Sequence, residues 1–79
     1  PQEEWTAAIR IISSGNAISA VSPDNKAVIE MSVYDVAGKR VAFVNGSQGF
    51  VEAHVSAGGF YIAIAKDSDG RVARRKVIL

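Results

Sequence analysis

The chain has 79 residues and a mass of 8.4 kDa, with nine Lys and Arg, eight Asp and Glu, one His and no Cys. These figures exclude a second domain, a disulfide framework, a Cys-based metal centre and a His cluster. A net charge of +1 argues against a general nucleic-acid binder, and the 48% hydrophobic share is that of a folded domain.

Such a domain buries only about 60% of its unfolded surface, so its stability is expected near the low end of the usual range. No apolar run approaches the ~20 residues of a membrane helix, and Pro1-Gln2-Glu3-Glu4 does not have the form of a signal peptide.

In chain order, the apolar residues recur with a period of two. Thr6–Ile12 reads as a first strand, and Ser13-Ser14-Gly15-Asn16 as a turn. Ala17–Val21 is a short second strand, ended by Ser22-Pro23-Asp24-Asn25, because Pro23 cannot donate to a ladder. Ala27–Asp35 alternates most clearly, with Ala27, Ile29, Met31 and Val33 on one face. Asp35-Val36-Ala37-Gly38 turns the chain into Lys39–Val44, which completes a hairpin. Asn45–Gly49 reads as a polar loop and Phe50–Val55 as a fifth strand. Ser56–Gly59 turns into Phe60–Lys66, the most apolar segment and the expected central strand. Asp67-Ser68-Asp69-Gly70 is a further turn, and Arg71–Leu79 is the closing strand.

Seven short strands at this spacing predict an all-β sandwich or small barrel in a single domain spanning 1–79, and the fold expected is a small Ig-like β-sandwich of about seven antiparallel strands. The core is expected from Ile9, Ile11, Ile18, Ile29, Met31, Val33, Val41, Phe43, Val51, Val55, Phe60, Ile62, Ile64 and Val77. No repeat is visible. Trp5 reads either as an anchor for the sandwich edge or as the end of a linker formed by residues 1–5.

No residue set reads as an active site. His54 lies beside Glu52 on the polar face of its strand and needs a nucleophile and an orienting acid to act as a base. Glu3 and Glu4 have nothing to fix them across a cleft. Asp67-x-Asp69-Gly70 resembles the opening of a calcium loop but lacks the later ligands, so a β-turn is the reading. Gly46-Ser47-Gln48-Gly49 and Gly58-Gly59 lead into strands, not helices, and so are turns rather than phosphate loops.

Arg71, Arg74, Arg75 and Lys76 place four cations within six residues. A nucleic-acid stripe would need stacking aromatics on the same face. A charged edge strand that resists aggregation and a terminal strand read by a receptor both fit, and periodicity does not separate them.

Three blocks carry a resemblance. Met31–Val41 resembles V-x-(I/V)-Y-D-(M/L/V)-x-G-(R/K)-x-V. Ala57–Ile64 resembles L-x-x-G-x-Y-(I/V)-(I/V)-x-(I/V), although Val55-Ser56-Ala57-Gly58-Gly59 departs from the usual approach to the Tyr strand. Asp69–Leu79 resembles G-x-x-x-x-x-K-(V/I)-(V/I)-(V/I). In this order they resemble the type A C-terminal sorting domain of the type IX secretion system of the Bacteroidetes, over Met31–Leu79.

The resemblance implies a non-catalytic signal without a cofactor, which directs a secreted cargo across the outer membrane. The implied partners are an outer-membrane shuttle, the translocon, a sortase-like cysteine protease that removes the domain, and the upstream cargo. The implied location is the periplasm in transit, then the cell surface or exterior. The implied recognition set is Gly70, Arg74, Lys76, Val77, Ile78 and Leu79, and the fold-defining set is Tyr34, Asp35, Gly38, Gly59 and Tyr61. The alternative is an Ig-like binding or spacer module using Trp5, Tyr34 and Tyr61 as a platform. An exposed edge strand also raises a homodimer as an expectation.

Overall fold

The computed structural model describes residues 8–56 and 58–79. Its strands are β1 (Arg10–Ser14), β2 (Ala17–Val21), β3 (Val28–Tyr34), β4 (Arg40–Gln48), β5 (Phe50–His54), β6 (Phe60–Asp67) and β7 (Val72–Ile78). They form two antiparallel sheets, β1-β2-β5 and β4-β3-β6-β7, as the alternation predicts. The expected start of the first strand at Thr6 lies outside the described residues.

Two expected loops are strand instead. Ser13 and Ser14 pair with Ile18 and Ala17, leaving a two-residue hairpin turn at Gly15 and Asn16. The segment Asn45–Gln48 continues β4, because a bulge absorbs Gly46: Ile29 pairs with Ser47 while Glu30 pairs with Asn45. A second irregularity sets Val33 against Ala42 and Tyr34 against Arg40, which leaves Val41 over.

The sheets meet over Ile18, Ile29, Met31 and Val33, all fully buried. Ile9, Ile11, Val51 and Val77 join this core as expected. Val41, Phe43, Phe60, Ile62 and Ile64 do not belong to it. Phe60 is 55% exposed, and β6 instead buries Tyr61, Ala63 and Ala65. Register decides this. Ala63 and Ala65 pair with the inward residues Val33 and Met31 of β3, and Tyr61 pairs with the inward Val77 of β7. The small alanines leave room for the large side chains beside them, and the isoleucines are left on the outside. On β4 the inward residues are Ala42 and Val44, not Val41 and Phe43.

Gly49 carries the chain from one sheet to the other. Its N–H donates to the Ala27 carbonyl (2.8 Å), and its carbonyl accepts from the Ser22 N–H (3.0 Å). Its φ is 77°, and a Cβ there would lie 2.9 Å from the Asn25 Cα. Gly49→Ala therefore combines a left-handed backbone with a collision against main chain. It is expected to lower stability by about 2 kcal/mol, read by urea denaturation.

Candidate functional site

The two hairpin turns of the four-stranded sheet use one device. At Asp35 the N–H donates to the Lys39 carbonyl (2.9 Å), and its carbonyl accepts from Gly38 (3.0 Å). The Asp35 Oδ1 accepts from the N–H groups of Ala37 (3.0 Å) and Lys39 (2.9 Å). Asp67 repeats this bond for bond: its N–H reaches the Arg71 carbonyl and its carbonyl accepts from Gly70, both at 3.0 Å. Its Oδ1 accepts from Asp69 and Arg71, again at 3.0 Å. The signal, Asp with Gly three residues on and a cation at the fourth, is present in the sequence but is easily missed as a repeat. Positive φ at Gly38 (84°) and Gly70 (88°) closes both turns.

The second turn is also anchored inward. Asp67 is buried, and its Oδ2 accepts from the Ser22 hydroxyl (2.9 Å) and Arg71 Nη1 (3.0 Å). The same Nη1 lies 2.9 Å from Asp69 Oδ2. Arg71 thus stands between the two carboxylates that resembled a calcium loop. Burial pushes the Asp67 carboxyl up, but the bonds from Arg71, Ser22 and Asp69 outweigh it and hold the group below its ordinary value. The two carboxylates hold the Arg71 guanidinium more firmly charged than usual, chiefly through the hydrogen bond to Asp67.

Tyr61, the second residue of β6, is buried, and its hydroxyl donates to the Ser56 carbonyl (2.8 Å). Such a tyrosine, bonded back across the turn between the fifth and sixth strands, is a hallmark of Ig-like sandwiches. Gly59 makes room for it, since a Cβ there would lie 2.9 Å from the ring. Tyr61 is therefore not an exposed platform, and Trp5 lies outside the described residues. Tyr61→Phe leaves the Ser56 carbonyl without its donor and is expected to cost about 1 kcal/mol, measured by denaturation.

The recognition set divides by parity. Val77 is 3% exposed and belongs to the core. Leu79 packs against the core, and its N–H donates to the Gly59 carbonyl (3.0 Å). Gly70 closes the turn. Arg74, Lys76 and Ile78 project from the outer face of β7. The four-cation run divides as well. Arg71 serves the turn, and Arg75 donates from Nη1 to the Ile11 carbonyl, which ties β7 to β1. Arg74 and Lys76 make no ion pair among the described residues.

Beside these two cations the outer sheet face forms an open groove of about 460 Å³ floored by Tyr34, Ile62 and Ile64 and bordered by Phe60, Arg74 and Lys76. His54 is exposed on β5, bordering a separate depression with Asn16 and Ser56.

The architecture and the tyrosine define an Ig-like β-sandwich. The chain is similar to a DUF3244 family protein with an immunoglobulin-like β-sandwich fold from Bacteroides vulgatus. The TM-score is 0.72 at 9% identity, over 94% of this chain and 85% of that one. No family model matches the chain, and no curated protein does so either.

Proposed function

We propose that this domain is a non-catalytic C-terminal sorting signal of the type IX secretion class. It would direct an upstream cargo through the periplasm and across the outer membrane, and then be cut away by a surface protease. One observation carries the reading: the three resembling blocks occupy connected positions in one sheet. Met31–Val41 is the β3–β4 hairpin, the Gly59–Tyr61 step is the buried tyrosine, and Asp69–Leu79 is the last turn with edge strand β7. Among the described residues β7 has a hydrogen-bonded partner on one side only, so a receptor strand can add to it through main-chain hydrogen bonds. Arg74, Lys76 and Ile78 supply alternate side chains for specificity.

The experiment is a reporter carrying this segment at its C-terminus in a host with type IX secretion. Reporter on the surface or in the medium supports the reading, and retention in the periplasm overturns it. A natural precursor in which further domains follow Leu79 also overturns it.

A further inference from the structure

We infer that the outer face of the four-stranded sheet is a docking surface for an amphipathic helix of a partner protein, one with an apolar stripe flanked on both sides by carboxylates. The inference stands on the face of the sheet, apart from the secretion reading, which uses the edge and end of β7. The two share Arg74 and Lys76.

The ladder places side chains on this face in rows across the four strands. One row runs Arg40, Tyr34, Ile62, Lys76, and the next runs Phe43, Ser32, Ile64, Arg74. Each row is apolar or neutral inside and ends on a cation at β7. On β4 the Arg40 guanidinium lies 4.8 Å from the centroid of Phe43, so that margin is cationic as well. Apolar surface continues past the rows at Val36 (81% exposed) and Phe60 (55%). Large apolar side chains gathered in this way on an outer face mark an interaction site.

Asp35 also lines the groove, but among the described residues the three cations Arg40, Arg74 and Lys76 outnumber it at the margins. The Oδ1 of Asp35 is held by its own turn, and Glu30 lies 3.5 Å from Lys66 at the far end of the face.

Width and charge together select the occupant. Strands about 4.8 Å apart put the β4 and β7 margins about 14 Å from each other. An α-helix about 10 Å across fits between them, with its apolar stripe on Ile62 and Ile64 and its carboxylates beside Arg40, Arg74 and Lys76. A second copy of this face would set cations against cations. A lipid surface would leave the half-buried isoleucines of the groove floor uncovered.

The test titrates the 79-residue chain, labelled with nitrogen-15, with an 18-residue helical peptide that has Leu at three- and four-residue spacing bordered by Glu. A control peptide carries Lys at those borders. The expected result is micromolar binding of the Glu peptide alone, with amide shifts on β3, β6 and β7 and affinity falling as salt rises. Arg40→Glu with Lys76→Glu should weaken it at least tenfold and admit the Lys peptide. Lys76→Glu alone, at an exposed position, should move affinity the same way.

Equal binding of both peptides, shifts confined to β1, β2 and β5, or no binding overturns the inference. Binding of phosphatidylglycerol vesicles in place of the peptide, or self-association in sedimentation that protects this face, overturns it too. Arg40→Glu lies outside the β7 set, so normal export of a reporter carrying it separates helix docking from the secretion signal.

Discussion

Asp67→Ala is expected to lower the unfolding free energy by about 3 kcal/mol, a large share of the stability of a domain this small. The carboxylate accepts from two turn N–H groups, the Ser22 hydroxyl and the Arg71 guanidinium, with its side chain sealed from solvent. Alanine leaves the two turn N–H groups and the Ser22 hydroxyl without their acceptor in a partly buried setting, and leaves Arg71 with Asp69 alone. It also cuts the link from the β6–β7 turn to the segment after β2, since Ser22 is 45 residues away in sequence. Thermal unfolding followed by circular dichroism should show a melting point lower by about 15 °C. Asp67→Asn keeps the shape but points an amide N–H₂ or a weaker acceptor at Arg71, so it should fall between the two. A shift of no more than about 3 °C for the alanine variant would mean that the network contributes little.

The same group predicts the acid limb. Its folded pKa lies below the unfolded value near 3.8, so the unfolded chain binds more protons in that window. Stability then rises with pH there. The contribution of Asp67 is complete above the unfolded pKa and is lost as pH falls through the folded one. Urea midpoints measured between pH 5 and pH 2 should therefore converge for the native chain and Asp67→Asn as the pH drops.

The strands are legible in the sequence because a period of two survives on β3 and β5, where Ile29, Met31 and Val33, and Val51 and Ala53, hold one parity while Glu30 and Ser32, and Glu52 and His54, mark the other. On β6 both parities are apolar. Phe60, Ile62 and Ile64 compete with Tyr61, Ala63 and Ala65, and size points to the wrong set. What selects the inner face is pairing with Met31, Val33 and Val77, which is information held in other strands. β4 hides its parity for another reason: the bulges at Val41 and Gly46 change the face partway along. Asp67 announces its turn through Gly70 and Arg71, but its burial depends on Ser22, which no local pattern reveals. The misassigned isoleucines and phenylalanines are the floor and rim of the candidate docking face. The ambiguous parity of β6 and the exposed apolar surface have one origin: the sheet carries large apolar side chains on both of its faces.

Removing Lys76–Leu79 is expected to abolish export of a fused reporter, and the structure explains why that deletion alone cannot identify a signal. It strips three register pairs from β7: Phe60 with Ile78, Tyr61 with Val77, and Ile62 with Lys76. It also takes Val77 out of the core and Leu79 from its bond to Gly59. Burial of one such aliphatic side chain is worth about 1.5–3 kcal/mol, so losing Val77 and part of Leu79 approaches the whole stability of a domain this small. The truncated chain should unfold, and an unfolded segment fails to export whether or not it carries a signal. The informative variant is Arg74→Glu with Lys76→Glu and Ile78→Ser, which alters only outward positions. Its melting point should stay within about 4 °C of the native domain, because surface changes of this kind move stability little. If β7 is the strand that the secretion machinery reads, export of the reporter should nonetheless fall at least tenfold. A folded triple variant exported at the native level would place the recognised surface elsewhere on the sandwich.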